Sequence, residues 1–211
     1  AKKLETLTLS ESVTVIKENA FGMCTNLKEI KGSINNEIEV ASSAFEGCQF
    51  IAENDGILVM GNTLVAAYSV FELVTITVPE NVTKIKSEAF KNYQSLQTIT
   101  IGDNLTSIGD EAFYGCSNLT TITFAVNTSL TTIGNKAFYG CSNLNSINVP
   151  HTVTSWGTNI FEGCNSLPVV GDYIMPCKHV IVGVKNTDKS EYTIGEDVAY
   201  IADNAFNNCN N

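Results

Sequence analysis

The sequence repeats itself, and this repeat restricts the chain to folds built from stacked copies of one short unit. The segment LTSIGDEAFYGCSNLTTITF, residues 105–124, returns as LTTIGNKAFYGCSNLNSINV at residues 130–149. A unit this short cannot bury its apolar side chains alone, so neighbouring copies must stack on one another. An Ala-Phe pair marks each copy, with Ile160 replacing the Ala once, and its Phe residues are Phe21, Phe45, Phe90, Phe113, Phe138, Phe161 and Phe206.

The period of the repeat, in the low twenties, is typical of a leucine-rich-repeat solenoid. Apolar side chains alternate at Ile99 and Ile101, as in a half-buried strand. Phe113 and Cys116, three residues apart, suit one face of a short helical turn. We therefore predict an α/β solenoid: a right-handed leucine-rich-repeat superhelix of about nine turns, with short helical turns, formed by residues 1–211 as a single domain.

The predicted helical turns have polar residues at their ends. Gly109-Asp110 and Gly134-Asn135 offer side chains that can cap free N–H groups at the start. At the end of the turns stand asparagines that can adopt the left-handed conformation. These asparagines are Asn26, Asn118 and Asn143.

Two intervals between repeat Phe residues are longer, at 45 residues each. In the first, Ile57-Leu58-Val59 and Leu64-Val65-Ala66 flank Gly61-Asn62; in the second, residues 173–175 and 180–182 flank a similar break. Apolar runs around turn-forming residues predict β-hairpins, which either continue the stack or project from it. The hairpin-containing degenerate units are predicted at about residues 51–72 and 168–191.

Six cysteines each follow a repeat Phe by three residues, and Tyr93 takes this place in the Phe90 unit. A residue that recurs at one repeat position forms a row inside the stack, where a free Cys packs as a small apolar residue. Disulfide or metal roles are the alternatives, but no C-x-x-C occurs and the odd number leaves Cys177 without an obvious partner. The predicted structural core therefore combines the seven repeat Phe residues with Cys24, Cys48, Cys116, Cys141, Cys164 and Cys209.

Between the two hairpins, the predicted strands alternate apolar residues with small polar ones that face solvent. Thr is a good solvent-facing strand former, which explains the pattern without any function. The alternative is a ligand-binding face, because solenoids bind along their extended surfaces. The residues of this face are Thr75, Thr77, Thr98, Thr100, Thr121, Thr123, Ser146 and Asn148.

Charge and motifs argue against several classes of function. The net charge of −10 disfavours binding to nucleic acid, and the longest apolar run, Leu64 to Val70, is too short to span a membrane. His151 and His179 lie apart and outside any metal-binding or catalytic motif. Only Cys177, two residues before His179, could serve a thiol enzyme. We predict no catalytic residues, no cofactor and no metal.

Residues 144–157, LNSINVPHTVTSWG, and the Ala-Phe-x-x-Cys units resemble the BspA-like leucine-rich-repeat family. Turns of that family are similar to L-x-x-I-x-(L/I)-P-x-x-V-T-x-I-G-x-x-A-F-x-x-C-x-x-L. The resemblance covers nearly the whole chain and departs at Tyr93 and Ile160. It implies a secreted or surface-attached protein of a bacterium or single-celled eukaryote, often adhesive or host-binding, with no catalytic residues to carry over.

We therefore predict a non-enzymatic extracellular or cell-surface module that binds a protein or glycan, with a monomer favoured. Two alternatives differ from this in class. The chain could be a spacer or stalk that holds another domain of a larger surface protein away from the cell. It could also be a thiol enzyme that acts through Cys177, which requires that thiol to react in the folded state.

Overall fold

The computed structural model describes residues 3–32, 38–41, 43–48, 56–67, 73–207 and 209, and in these ranges it contains strands and turns but no helix. The strands are β1 (Thr6–Thr8), β2 (Val15–Ile16), β3 (Glu29–Lys31), β4 (Glu39–Val40), β5 (Ile57–Met60), β6 (Thr63–Ala67), β7 (Thr75–Thr77), β8 (Lys84–Ile85), β9 (Thr98–Ile101), β10 (Ser107–Ile108), β11 (Thr121–Phe124), β12 (Thr132–Ile133), β13 (Ser146–Ile147), β14 (Ser155–Trp156), β15 (Val169–Val170), β16 (Tyr173–Ile174), β17 (Val180–Ile181), β18 (Gly183–Val184) and β19 (Tyr200–Ile201).

The regular coils form two parallel sheets. The front sheet consists of β7, β9, β11 and β13, and each strand pairs with the next in the same register. Its isoleucines point inward and are buried, because successive side chains of a strand point to opposite faces. These isoleucines are Ile76, Ile99, Ile122 and Ile147.

The back sheet consists of β5, β6, β8, β10, β12 and β14. From β8 to β14 its strands are two residues long and parallel, with Ile85, Ile108, Ile133 and Trp156 in one row. The two sheets therefore hold the apolar residues of each coil between them. The described chain makes about eight turns rather than the predicted nine, since the hairpins use residues that would otherwise form coils.

The segment around each repeat Phe is a run of turns, so the predicted helical turns and the α/β class are wrong. The amides of Glu111, Phe113 and Gly115 donate to the carbonyl oxygens of the next coil at 2.8, 2.8 and 2.7 Å. In an α-helix each N–H instead donates to the carbonyl four residues earlier. Because alternate amides bind the neighbouring coil, the chain forms a third ladder, here called the Phe ladder, in place of a helix.

Left-handed residues shape these turns. Glu111 and Lys136, two residues before a Phe, have φ of 55° and 52°, and Gly115 and Gly140, two residues after one, have φ of 69° and 70°. Such residues interrupt a right-handed helix on both sides of the Phe. The left-handed positions predicted at the asparagines are also wrong, because the residues with positive φ do not include Asn26, Asn118 and Asn143.

The residues expected to cap helices bridge the coils instead. A carboxylate oxygen of Asp110 accepts a hydrogen bond from the Asn135 backbone amide at 2.7 Å, and the Asn135 side-chain oxygen accepts one from the Thr158 amide at 2.9 Å. The chain packs tightly here: a Cβ added to Gly157 would lie 2.3 Å from Asn135 N and from Gly134 C. Glycine is therefore required for the close approach of these coils.

The repeat Phe residues form a row through the stack. Ring centroids are 4.9 Å apart for Phe90 and Phe113, 5.4 Å for Phe113 and Phe138, and 5.5 Å for Phe138 and Phe161. These four rings are at most 5% exposed, whereas Phe206, in the last turn, is half-buried. Towards the N-terminus, Phe21 is half-buried and stacks on the buried Phe45 at 5.0 Å.

The first hairpin is formed by β5 and β6, and β6 also pairs in parallel with β8, so this hairpin continues the back sheet. It is buried on both faces. Ile57 and Leu64 pack in the apolar cluster of the central coils, while Leu58 and Val65 pack in the cluster of the N-terminal coils.

The second long interval combines a hairpin with a coil strand. β16 pairs antiparallel with both β15 and β18, whereas β17, between them in sequence, pairs in parallel with β19. The run predicted at residues 180–182 is therefore split, because Val182 lies between β17 and β18. The β17–β19 pair takes the place of β6–β8 about 116 residues later, but the register differs by one residue: Leu64 pairs with Ile85, whereas Val180 pairs with Tyr200.

Candidate functional site

The predicted ligand face lies on the outer side of the front sheet. Thr75, Thr98, Thr121 and Ser146 align in one row across the four strands, and Thr77, Thr100 and Thr123 align in a second. Asn148 lies exposed one residue beyond β13. Thr98 and Thr121 are half-buried and the other members are exposed. Neighbouring strands are about 4.8 Å apart, so the side chains within each row are evenly spaced and their hydroxyls form a regular array.

This array is neutral and limited to the central coils. The described strands of the front sheet carry no charged side chain. Thr6 and Thr8 of β1, which could have extended the array, pair instead with Glu29 and Lys31 of β3, whose charged groups are 3.0 Å apart. Hydroxyl groups both donate and accept hydrogen bonds, so the array suits a polar, uncharged ligand. Its role as a ligand face stays a prediction.

The structure brings His151 against His179, whose ring also contacts Cys177. The Cys177 sulfur is 3.6 Å from Nδ1 of His179 and 3.7 Å from Nε2, and the His179 ring stacks on His151 with centroids 3.8 Å apart. Nearly equal distances to both nitrogens mean that the sulfur packs against the ring rather than lying along the lone pair of one nitrogen.

The protonation states of this cluster also oppose nucleophilic chemistry. Burial raises the pKa of the Cys177 thiol, and burial, together with the charges of His151 and Lys178, lowers the pKa of His179. Both groups are therefore neutral at pH 7, whereas a nucleophilic Cys requires a depressed pKa. The cluster is a packed junction between the bend at His151 and the second hairpin, and it does not favour the thiol-enzyme alternative.

His179 should make the stability of the chain depend on pH. The side chain is 2% exposed, and its pKa is lower in the folded chain than its ordinary value of 6.5. The unfolded chain therefore binds the proton more readily. We expect the free energy of unfolding to fall as the pH drops below about 6.5, by at most about 1.4 kcal/mol per pH unit for this one group.

This pH dependence can be measured by urea unfolding at pH 7.5, 6.5, 5.5 and 5.0. His179→Gln should flatten the curve between pH 6.5 and 5, because no imidazole remains to titrate there. The control His151→Gln removes the exposed ring and should retain most of the slope. A slope that persists unchanged in His179→Gln would contradict this role of burial.

The repeat cysteines have a structural role that the sequence did not reveal. Cys116 donates from its sulfur to Phe90 O at 2.9 Å, and Cys141 donates to Phe113 O at 3.1 Å. Burial raises the pKa of Cys116 to about 12. These thiols thus satisfy carbonyls of the preceding coil, which a residue without a polar hydrogen cannot do. The only sequence signal for these hydrogen bonds is the constant spacing of three residues between the repeat Phe and the Cys.

The described residues contain neither a metal-binding cluster nor a membrane-spanning helix. No three His, Cys, Asp or Glu side chains of these ranges are grouped so that they could hold a metal ion. Within the same ranges, no helix has the length and apolar character needed to cross a membrane.

Comparisons with solved structures identify the fold. The pneumococcal vaccine antigen PcpA is 19% identical with a TM-score of 0.51; the match covers 78% of this chain and 50% of PcpA. The leucine-rich-repeat protein TpLRR of T. pallidum is 21% identical with a TM-score of 0.51, and the match covers 75% of this chain and 66% of TpLRR. The chain thus spans half the length of PcpA and about two thirds of TpLRR.

A third similar structure is a leucine-rich cell surface protein of Faecalibacterium prausnitzii A2-165. It is 22% identical with a TM-score of 0.40, and the match covers 79% of this chain and 59% of that protein. At this level of identity, PcpA and TpLRR indicate a shared leucine-rich-repeat fold. No curated protein matches the chain.

The family is identified at the level of sequence. A model of the BspA type leucine-rich-repeat region matches in six copies, over residues 1–54 and 65–171. These ranges include every repeat Phe except Phe206, together with the front sheet and strands β8, β10, β12 and β14 of the back sheet, and they omit most of the first hairpin. The predicted resemblance is confirmed, and the chain belongs to the BspA-type leucine-rich-repeat family.

Proposed function

We propose that the chain is a non-enzymatic interaction module of a cell-surface or extracellular protein, and that it binds a protein or glycan along the outer side of the front sheet. The observation that carries this proposal is the pair of aligned hydroxyl rows on β7, β9, β11 and β13. A rigid solenoid holds these hydroxyls at fixed spacing, so a ligand can bind without ordering the surface first.

The chemistry of the rows indicates the kind of ligand. Hydroxyls on a neutral surface can hydrogen-bond to sugar hydroxyls or to peptide groups, and neither requires a charged partner. Each such bond contributes only about 0.5–1.5 kcal/mol net, so useful affinity requires several at once. The rows supply this by repetition across four strands.

The proposed location follows from family and similarity. BspA-like proteins are secreted or surface-attached, as the sequence resemblance implies, and the similar protein PcpA is a vaccine antigen. An antigen of this kind supports an exposed location for this chain too. Because the chain spans half of PcpA, we propose that its binding activity belongs to a larger surface protein, with this part monomeric.

The test places lysines on the front sheet. In the triple variant Thr98→Lys, Thr121→Lys, Ser146→Lys, long charged side chains cover one hydroxyl row. We expect binding to a surface coated with a glycoprotein matrix to fall by about tenfold or more, since each lost hydrogen bond removes part of the affinity. Measuring the same coat before and after enzymatic removal of its glycans distinguishes a glycan ligand from a protein ligand.

The back sheet offers a matched control. Ser107, Thr132 and Ser155 form the equivalent row on β10, β12 and β14, with the same pattern of half-buried, half-buried and exposed side chains. The triple variant Ser107→Lys, Thr132→Lys, Ser155→Lys adds the same charge and should keep full binding. If both triple variants bind equally well while remaining folded, the ligand face is refuted and the spacer alternative is favoured.

A further inference from the structure

The Phe ladder is open between the turn of residues 159–163 and the turn of residues 203–207. A cavity of about 310 Å³ lies between these two turns, here called the open slot. The open slot lies on the side of the solenoid formed by the Phe turns, and none of its lining residues is in the front sheet. We propose that the open slot binds an extended peptide segment carrying basic residues, which adds to the Phe ladder as an extra strand.

The donors of the open slot are two backbone amides. In the coils of Phe90, Phe113 and Phe138 the equivalent amides bind the next coil; for example, Phe138 N donates to Ile160 O at 3.0 Å and Gly140 N to Glu162 O at 2.8 Å. Phe161 N and Gly163 N have no acceptor within the described part of the chain. Phe161 lines the cavity, and a ligand carbonyl there would supply the acceptor that its amide lacks.

In the opposite turn, the carbonyl oxygen of Ala205 has no donor among the described residues. By the pattern of the ladder, this oxygen would accept from Phe161 N. Across the open slot, Asn159 N instead donates to a side-chain oxygen of Asp203 at 2.8 Å. The Asp203 side chain therefore lies between the two turns at this point. It separates the backbone amides of one turn from the backbone carbonyls of the other, which would otherwise pair.

The first long interval shows how a chain segment fills such a place. There Ala67 N donates to Ala89 O at 2.7 Å. Lys86 N donates to Leu64 O, and 116 residues later Ala202 N donates to Ile181 O, so Ile181 takes the place of Leu64 and Val184 that of Ala67. The second hairpin therefore has one residue more than the first, as the pairs Leu58–Ala66 and Ile174–Gly183 also show. No hydrogen bond joins Val184 to Ala205, so Ala205 O also lacks the donor that Ala89 O has.

The lining of the open slot indicates the chemistry of its ligand. Ile174 and Val182 supply apolar surface, while Glu162 and Asp203 are exposed acidic groups. The lining contains no Lys, so its charge is uncompensated. An extended peptide binds through alternate backbone groups, which matches the i, i+2 spacing of Phe161 and Gly163. Small apolar side chains flanked by Lys or Arg complement this surface.

The free protein provides the first test, by amide hydrogen exchange resolved by NMR. We expect Phe161 and Gly163 to exchange at least about tenfold faster than Phe138 and Gly140, which are matched in residue type and repeat position. Equal protection in dilute protein would show that the open slot is closed and would overturn the proposal. Protection that rises with protein concentration would assign the slot to a second copy of the chain and would also overturn it.

The second test uses the acetylated and amidated peptide Lys-Val-Ala-Ala-Lys, which copies Val65–Ala67 between two lysines. We expect it to shift the NMR signals of Phe161 and Gly163 and to slow their exchange. The same peptide with alternate amides N-methylated cannot donate to Ala205 O and should bind about tenfold more weakly. Equal binding of the two peptides would refute strand addition.

Charge is tested by Glu162→Lys, which should weaken peptide binding by about tenfold at low salt. The matched control is Glu46→Lys, because Glu46 is also exposed and occupies the same repeat position. It should bind the peptide as the unchanged protein does. Both variants should retain the front-sheet binding described above, so failure of the open slot would be distinguishable from failure of the proposed function.

Discussion

Phe113→Ala is expected to lower the free energy of unfolding by about 3–5 kcal/mol. The Phe113 ring is fully buried, and it stacks on Phe90 at 4.9 Å and on Phe138 at 5.4 Å, with interplanar angles of 9° and 19°. Removing it leaves a cavity between two rings and ends both stacking contacts at once. Because a solenoid is stabilised through contacts between neighbouring coils, the loss weakens the stack on both sides.

Urea unfolding followed by circular dichroism measures this effect. Phe21→Ala is the matched control, because Phe21 is half-buried and stacks on Phe45. It should cost clearly less than Phe113→Ala. A loss below about 1 kcal/mol for Phe113→Ala would mean that the row of rings does not form the core.

Gly157→Ala is expected to cost about 1–3 kcal/mol, although it adds only one methyl group. The new Cβ would lie 2.3 Å from two backbone atoms, Asn135 N and Gly134 C, and backbone cannot move aside as a flexible side chain can. The coils must therefore separate. This separation also strains the hydrogen bonds between Asn135 and Thr158, so the effect should exceed that of an ordinary surface substitution.

The matched control is Gly102→Ala. A Cβ at Gly102 would meet no atom within 4 Å, and this glycine is not among those with positive φ. Its substitution should change the stability by no more than about 0.5 kcal/mol, or raise it slightly by reducing the freedom of the unfolded chain. Equal effects of Gly157→Ala and Gly102→Ala in thermal and urea unfolding would contradict close packing at Gly157.

The strands were predictable from sequence because their signal is local. Alternation at Ile99 and Ile101 predicted the strand that forms β9, and the repeat itself fixed which residues of successive strands are neighbours. The apolar runs around Gly61-Asn62 likewise predicted the β5–β6 hairpin. In each case a short window contains both the residues that form the element and the residues that end it.

The Phe turns could not be predicted in the same way. A spacing of three residues between Phe113 and Cys116 fits a helix as well as a series of turns. Hydrogen bonds to carbonyls of a coil more than 20 residues away decide between them, such as Phe113 N to Ala137 O. Glu111 and Lys136 adopt left-handed conformations that their residue types disfavour, so these conformations could not be predicted from residue type.

The remaining sites depend on contacts that no local pattern records. His151 and His179 meet only because the second hairpin returns to the bend that precedes it. The open slot remains because Ala205 O lacks the hydrogen bond that Ala67 N donates to Ala89 O in the first long interval. The two hairpins differ by one residue in length, and the pattern of apolar residues does not show which backbone groups this difference leaves unpaired.

The Phe ladder between coils is tested most directly by NMR detection of scalar couplings across hydrogen bonds. Couplings should connect the amide nitrogen of Phe90 to the carbonyl carbon of Ala112, and that of Phe113 to that of Ala137. Couplings from Phe113 to the carbonyl of Gly109, four residues earlier, would instead indicate helical turns and would contradict the ladder.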